Sequence, residues 1–133
     1  MTQVRSPRFL MTLALTACLL VTGLVGAQAS SAATRSCASP ASKSGLKGGY
    51  FSRLRVTNVS CSEGKKVVYG YYSCRMSKGG KKASCHGRTI RGLRCTEYRD
   101  PDLSIPTEFS ARVTCKKGTK KVVHVYQQNL ASS

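Results

Sequence analysis

The chain has 133 residues, 22 Lys and Arg against 5 Asp and Glu, and a formal net charge of +17. That length allows one domain and leaves little room for a large substrate pocket beside a core. The charge points to anionic polymers or surfaces without choosing among nucleic acid, acidic wall polymer and anionic lipid.

Residues 1–29 read as an export signal. Met1 to Arg8 carries Arg5 and Arg8 and no acid, a low-polarity run extends from Phe9 to Ala27, and Ala27-Gln28-Ala29 is a small-x-small exit. The run is close to the roughly 20 residues that span a bilayer. Thr12, Thr16, Thr22, Gly23 and Gly26 dilute it, however, and no basic cluster follows directly. Cleavage after Ala29, with Ala33 as the alternative cut, is expected over retention as an anchor. Leu15-Thr16-Ala17-Cys18 also matches a bacterial lipobox, which would acylate Cys18 and leave the protein lipid-anchored. The apolar Leu19-Leu20-Val21 that follows speaks against it. The expected localisation is secreted, with anchoring through Cys18 as the alternative.

Loss of residues 1–29 leaves 104 residues at a net charge of +15, because Arg5 and Arg8 depart. Cys18 departs too, leaving Cys37, Cys61, Cys74, Cys85, Cys95 and Cys115. An even count in an exported chain reads as three disulfides. Such bridges restrict the unfolded chain and offset charge repulsion. Of the 15 pairings that six cysteines allow, spacing favours one local pair, Cys74 with Cys85, which enclose ten residues. No Cys-x-x-Cys or His-x₃₋₅-His pair occurs, so neither metal nor cofactor is expected.

Residues 30–47 are Ser, Ala, Gly and Lys with Pro40, a flexible spacer tied back at Cys37. The domain is expected over 48–129, with a tail at 130–133. Phe51 to Val59 alternates as a half-buried strand, Leu54 and Val56 on one face, Arg53, Arg55 and Thr57 on the other. Ser60 with Glu63 forms a capping box, and Val67, Val68, Tyr71 and Tyr72 make a helical stripe. Val, Tyr and Gly70 favour a strand there; the cap decides for a helix. Ser77 to Lys82 reads as a Gly-Gly turn and Ile90 to Tyr98 as a second strand. Asp100 to Thr107 is a loop containing Pro101 and Pro106. Phe109, Ala111, Val113 and Cys115 alternate with polar residues as a third strand. Lys117-Gly118-Thr119 is a hairpin turn, and Lys121 to Gln127 returns as a fourth strand. The order strand, helix, strand, strand, strand predicts an α+β fold, one helix on a small antiparallel sheet, stapled by disulfides.

The segments Tyr50-Phe51-Ser52, Val59-Ser60-Cys61, Gly92-Leu93-Arg94-Cys95-Thr96, Val113-Thr114-Cys115 and Tyr126-Gln127-Gln128-Asn129 carry a resemblance. Over roughly residues 48 to 129 the chain resembles an uncharacterised family of small secreted cysteine-containing proteins of actinobacteria. These have a Val-Ser-Cys strand end, a helix and Cys-bearing strands. The resemblance implies a compact α+β domain and an exported life, and supplies no activity or site residues.

No catalytic constellation stands out. His86 and His124, with Lys82 or Lys120, supply the residue types of a ribonuclease, but no spacing brings them together. Six paired cysteines leave no nucleophilic thiol, and no Gly-x-Ser-x-Gly turn exists. Glu97, Asp100, Asp102 and Glu108 read as a solvated acidic loop, without an EF-hand pattern. Among Tyr69, Tyr71, Tyr72 and Tyr126, the helical spacing of Tyr71 and Tyr72 reads as core. The anion-binding candidates are the lysine pairs Lys65-Lys66, Lys81-Lys82, Lys116-Lys117 and Lys120-Lys121. The expected function is therefore non-enzymatic: a monomeric cationic protein binding an anionic envelope polymer or an acidic protein, with nucleic acid engaged only non-specifically. The alternatives are membrane activity, protease inhibition through Asp100 to Thr107, and last a ribonuclease.

Overall fold

Among the described residues, alternating apolar and polar side chains build one antiparallel sheet, and one helix covers one side of it. The computed structural model describes residues 33–40 and 49–131. The export signal at 1–29, Cys18, most of the expected spacer (30–32 and 41–47) and the end of the tail lie outside the described residues. The elements are β1 (Thr34–Cys37), β2 (Gly49–Thr57), α1 (Cys61–Gly79), a 3₁₀ turn (Gly80–Lys82), β3 (Thr89–Ile90), β4 (Leu93–Arg99), β5 (Glu108–Lys117) and β6 (Lys120–Asn129). The sheet order is β1-β2-β6-β5-β4-β3.

The α+β class holds, with two strands beyond the expected four. β1 arises in the stretch read as spacer, where Thr34 to Cys37 pairs antiparallel with Thr57 to Leu54. β3 is a two-residue strand on the opposite edge, Thr89–Ile90 against Arg94–Leu93. Both edge strands are short, which limits the unpaired backbone offered to other chains.

β2 departs from strict alternation. Its register against β6 shifts between Phe51 and Arg53, a bulge at Ser52. The extra residue lets Phe51 and Leu54 both point inward while Ser52 and Arg53 both point outward.

The helix starts where the cap places it: Glu63 N–H donates to Ser60 Oγ at 3.1 Å. The reciprocal half of the capping box is replaced. The Glu63 carboxylate accepts from Arg91 Nε at 2.6 Å and lies 3.7 Å from Lys66 Nζ. These cations hold its pKa below the ordinary value. Gly64, Val67, Val68, Tyr71 and Arg75 form the buried stripe, and Tyr72 is half-buried. Two glycines permit close seating. A Cβ on Gly64 would meet Val56 Cγ1 at 2.6 Å, and one on Gly70 would meet Ile90 Cγ2 at 2.8 Å. Gly70 is thus a contact point of the helix on the sheet. The helix runs on through residues read as turn and stops at Gly79-Gly80.

Leu54, Val56, Val67, Val68, Tyr71, Val113, Val122 and Tyr126 form the centre of the core. Three disulfides brace it: Cys37–Cys61 from β1 to the helix start, Cys74–Cys85 from the helix to the loop before β3, and Cys95–Cys115 between β4 and β5. Each cysteine is joined to its immediate neighbour in the order of the six.

Candidate anion-binding face

Among the described residues, the helix covers one side of the sheet and leaves the other open. On β6, Val122, His124, Tyr126 and Gln128 point inward, so Lys121, Val123, Val125 and Gln127 point outward. Residues directly opposite across a ladder share a side. Thr57, Arg55 and Arg53 of β2 stand opposite Lys121, Val123 and Val125. On the other flank of β6, Lys116, Thr114 and Arg112 of β5 stand opposite the same three residues. Arg94, Thr96 and Tyr98 of β4 continue the rows. Arg53, Arg55, Arg94, Arg112, Lys116 and Lys121 therefore share the open face, and no acid occupies these rows. Asp100 and Glu108 lie at the end away from the β5–β6 turn, where Asp100 N–H donates to Ser110 O.

Two adjoining depressions run along this face. One, of about 360 Å³, has Arg53, Arg55, Arg112 and Lys121 around Val123 and Val125. The other, of about 420 Å³, has Tyr98, Leu103, Ser52 and Asp100 as walls. They share Arg53, Arg112 and Val125 and so form one continuous groove.

Like charges stand directly opposite each other near the turn: Lys116 with Lys121, Lys117 with Lys120, and Arg94 with Lys116. Such cross-strand pairs are destabilising. At about 7 Å between charges in water each repulsion costs about 0.6 kcal/mol, less in salt. An anion laid along the open-face row would relieve the Lys116–Lys121 and Arg94–Lys116 pairs, while Lys117 and Lys120 meet on the other side.

The eight candidate lysines do not share one face. Lys116 and Lys121 belong to the open face, whereas Lys117 and Lys120 alternate to the helix side of the turn. Lys65 and Lys66 lie on α1, and Lys81 and Lys82 in the 3₁₀ turn that follows. The arginines of β2, β4 and β5 were not singled out from sequence. Their signal was the strand alternation itself, which puts Arg53 and Arg55 opposite Leu54 and Val56.

The acidic loop needs a correction at Glu97. This carboxylate is on the helix side, 2% exposed, and accepts from Arg99 Nε at 2.7 Å. It also accepts from the hydroxyls of Tyr71 at 2.7 Å and Tyr126 at 2.9 Å. Burial and this neighbouring carboxylate push both tyrosine pKa values up. Arg75, also buried, donates to Ala83 O at 3.0 Å and Lys81 O at 2.6 Å, and lies 4.1 Å over the Tyr126 ring. Burial lowers its pKa.

His86 and His124 occupy different environments. His124 is fully buried among Phe51, Tyr71 and Tyr126. Neither of its ring nitrogens has a hydrogen-bond partner among the described residues. Burial, with a smaller effect of the Arg75 charge, pushes its pKa down to about 3. His86 is exposed, and its Nδ1 accepts from Glu97 N–H at 3.2 Å. A substrate at His86 has no access to the His124 ring.

Among the described residues no group of three or more His, Cys, Asp and Glu side chains is placed to hold a metal ion. Nor is any helix among them long and apolar enough to cross a membrane. Three disulfides suit an oxidising, extracellular compartment. Comparison with protein-family models, curated proteins and solved structures finds no match.

Proposed function

We propose that this chain is an exported, non-enzymatic binding protein whose open sheet face engages an anionic polymer of the cell envelope. The observation that carries the reading is the gathering of six cations, without an acid in their rows, on the side of the sheet that the helix leaves bare. The signal-like first 29 residues and the resemblance to small secreted actinobacterial proteins support an extracellular setting, as do the disulfides. An exported protein meets wall polymers before it meets genomes, which favours an envelope partner.

The test is retention on purified cell walls in a salt gradient. Retention to moderate salt is expected, with substantial weakening in Arg53→Gln/Arg112→Gln and little change in Lys65→Gln/Lys66→Gln. Elution of the wild type at very low salt, or equal loss in both variants, refutes the assignment to this face.

One observation favours a second reading, protease inhibition. Leu103 and Ile105 are 62% and 61% exposed on the 100–107 loop. Hydrogen bonds from Asp102 N–H to Asp100 Oδ1 and between Ile105 and Glu108 restrain that loop. Inhibition of a serine protease that is lost in Leu103→Gly would support it, and slow cleavage of the loop without inhibition would exclude it.

A further inference from the structure

We infer that the end of the open face away from the β5–β6 turn is a subsite for an uncharged oligosaccharide. The anionic-polymer reading concerns charge alone. This subsite takes a ligand that carries none, so it goes beyond that reading and does not depend on it.

Polar groups of both signs meet there without pairing. Arg53 and Arg112 line the depression of about 420 Å³ together with the Asp100 carboxylate and the hydroxyls of Ser52 and Ser110. Among the described residues neither guanidinium has an ion-pair partner, and nor has Asp100. Asp100 Oδ1 accepts from Asp102 N–H at 3.1 Å, which leaves the second oxygen to a ligand. That carboxylate repels a ligand group that is only an anion. A wholly apolar group would take water from both kinds of charge without replacing its hydrogen bonds. A hydroxyl both donates and accepts, so a polyhydroxylated ring serves carboxylate, guanidinium and serine with one kind of group. The adjoining depression lacks this balance: Arg55 and Lys121 join Arg53 and Arg112 there, and no acid lines it.

Apolar surface is set among these groups. Val125 lies in the floor, and Tyr98 and Leu103, each 62% exposed, form the wall. A sugar ring has carbon-bound hydrogens on its faces and hydroxyls around its rim, so it meets both surfaces at once. A second exposed tyrosine extends the stripe. Tyr50, 50% exposed, stands opposite Gln127 on the open face, and its hydroxyl donates to Gln127 Oε1. In the order β2-β6-β5-β4, Tyr50 and Tyr98 are three strand spacings apart, roughly 14 Å. That span suits an oligosaccharide lying across the strands and exceeds a single zwitterionic amino acid.

A peptide is served less well. On the face of the sheet the backbone groups are engaged in the ladders, so the main-chain bonds that hold an added strand are missing. The wall is also fixed in advance. Asp100 N–H donates to Ser110 O, Ser104 Oγ donates to Asp100 O at 2.5 Å, and Ile105 and Glu108 exchange backbone bonds. Holding Leu103 and the Asp100 carboxylate in place before binding lowers the ordering cost.

The test uses uncharged tetrasaccharides: β-1,4-linked N-acetylglucosamine, glucose and mannose, and α-1,4-linked glucose. Each is titrated into the ¹⁵N-labelled, oxidised protein in about 1 M sodium chloride, where charge attraction is screened beyond about 3 Å. Binding of at least one, at about 1 mM for so open a site, is expected to shift the amides of Tyr98, Leu103, Ser110 and Arg112 and to leave those of Lys116 and Lys121 in place. Tyr98→Ala and Asp100→Asn, checked by circular dichroism, should each weaken it about fivefold or more. Arg55→Gln/Lys121→Gln should not. The asparagine keeps Oδ1 for the Asp102 N–H, so its effect reads the carboxylate and not the loop. Absence of binding across the four sugars, shifts confined to the rows of Lys116 and Lys121, or a wild-type affinity in both Tyr98→Ala and Asp100→Asn overturns the subsite. So does single-stranded DNA that binds at this end more tightly than every sugar in the same salt. None of these results touches retention on cell walls at low salt, which tests the anionic-polymer reading separately.

Discussion

His124 should make the fold sensitive to mild acid. Its imidazole is sealed among Phe51, Tyr71 and Tyr126, with the Arg75 charge nearby, and its pKa in the folded state is about 3. In the unfolded chain the ordinary value is about 6.5. The folded value is the lower one, so the unfolded state takes up the proton first. The stability that neutral His124 permits is complete above about pH 6.5 and drains away as pH falls toward 3. At 1.36 kcal/mol per unit, the loss between about pH 7.5 and about pH 5 is about 2 kcal/mol. Urea unfolding with the disulfides intact, followed by far-ultraviolet circular dichroism, measures this as a falling midpoint. Glu63, held below 4.5, stays ionised throughout that window. His124→Leu and His124→Phe remove the titration and the unpartnered ring nitrogens; relief of an unmet polar group is worth about 1–3 kcal/mol, against a repacking penalty of about 1–3 kcal/mol. Their stability at neutral pH should therefore lie near that of wild type, while the loss between neutral pH and pH 5 shrinks by about 2 kcal/mol. His86 is common to all three proteins and cancels. A variant that loses as much stability as wild type over this window would refute the reasoning.

Glu97→Gln removes the charged acceptor shared by Tyr71, Tyr126 and Arg99 and should cost about 2–3 kcal/mol in chemical denaturation; an unchanged midpoint would mean that the network contributes nothing net. Gly64→Ala gains helix propensity of about 1 kcal/mol but drives a methyl to 2.6 Å from Val56 Cγ1. Net destabilisation of about 1–2 kcal/mol is expected, and a rise in melting temperature would contradict the close seating. Replacing Cys37 and Cys61 together by Ser should cost about 3 kcal/mol through loop entropy. The amides of β1 should then lose hydrogen-exchange protection first, while those of β5 and β6 keep theirs.

Where two-residue alternation was strong, the elements were readable in advance. Phe109 to Cys115 and Val122 to Gln128 bury every second residue, and the Ser60 cap placed the helix start. β1 escaped because Thr-Arg-Ser-Cys holds no apolar alternation; its link to the core is Cys37. The bulge at Ser52 escaped because its signal, Phe51 out of phase with Leu54 and Val56, is a single residue. Glu97 was grouped with its acidic neighbours, although Leu93, Cys95 and Glu97 share one parity on β4. The basic face was present in the sequence only in pieces. Arg53 and Arg55, Arg112 and Lys116, and Arg94 each sat on the outward side of their own strand. Only the order β2-β6-β5-β4 sets those pieces side by side, and strand order is not written in local pattern. Lysine doublets drew attention because adjacency is visible along a chain, whereas neighbours on adjacent strands are not.

The disulfide connectivity carries a consequence for biogenesis. Cys37 joins Cys61, Cys74 joins Cys85, and Cys95 joins Cys115, so no loop encloses or crosses another. A chain that enters an oxidising space N-terminus first presents its cysteines in that order. If Cys18 leaves with the export signal and each bridge closes before the next pair arrives, each new thiol finds its native partner as the one reduced cysteine already waiting. Strictly sequential oxidation then yields the native set without an isomerase, whereas refolding of the reduced domain from residue 30 onward faces six thiols at once.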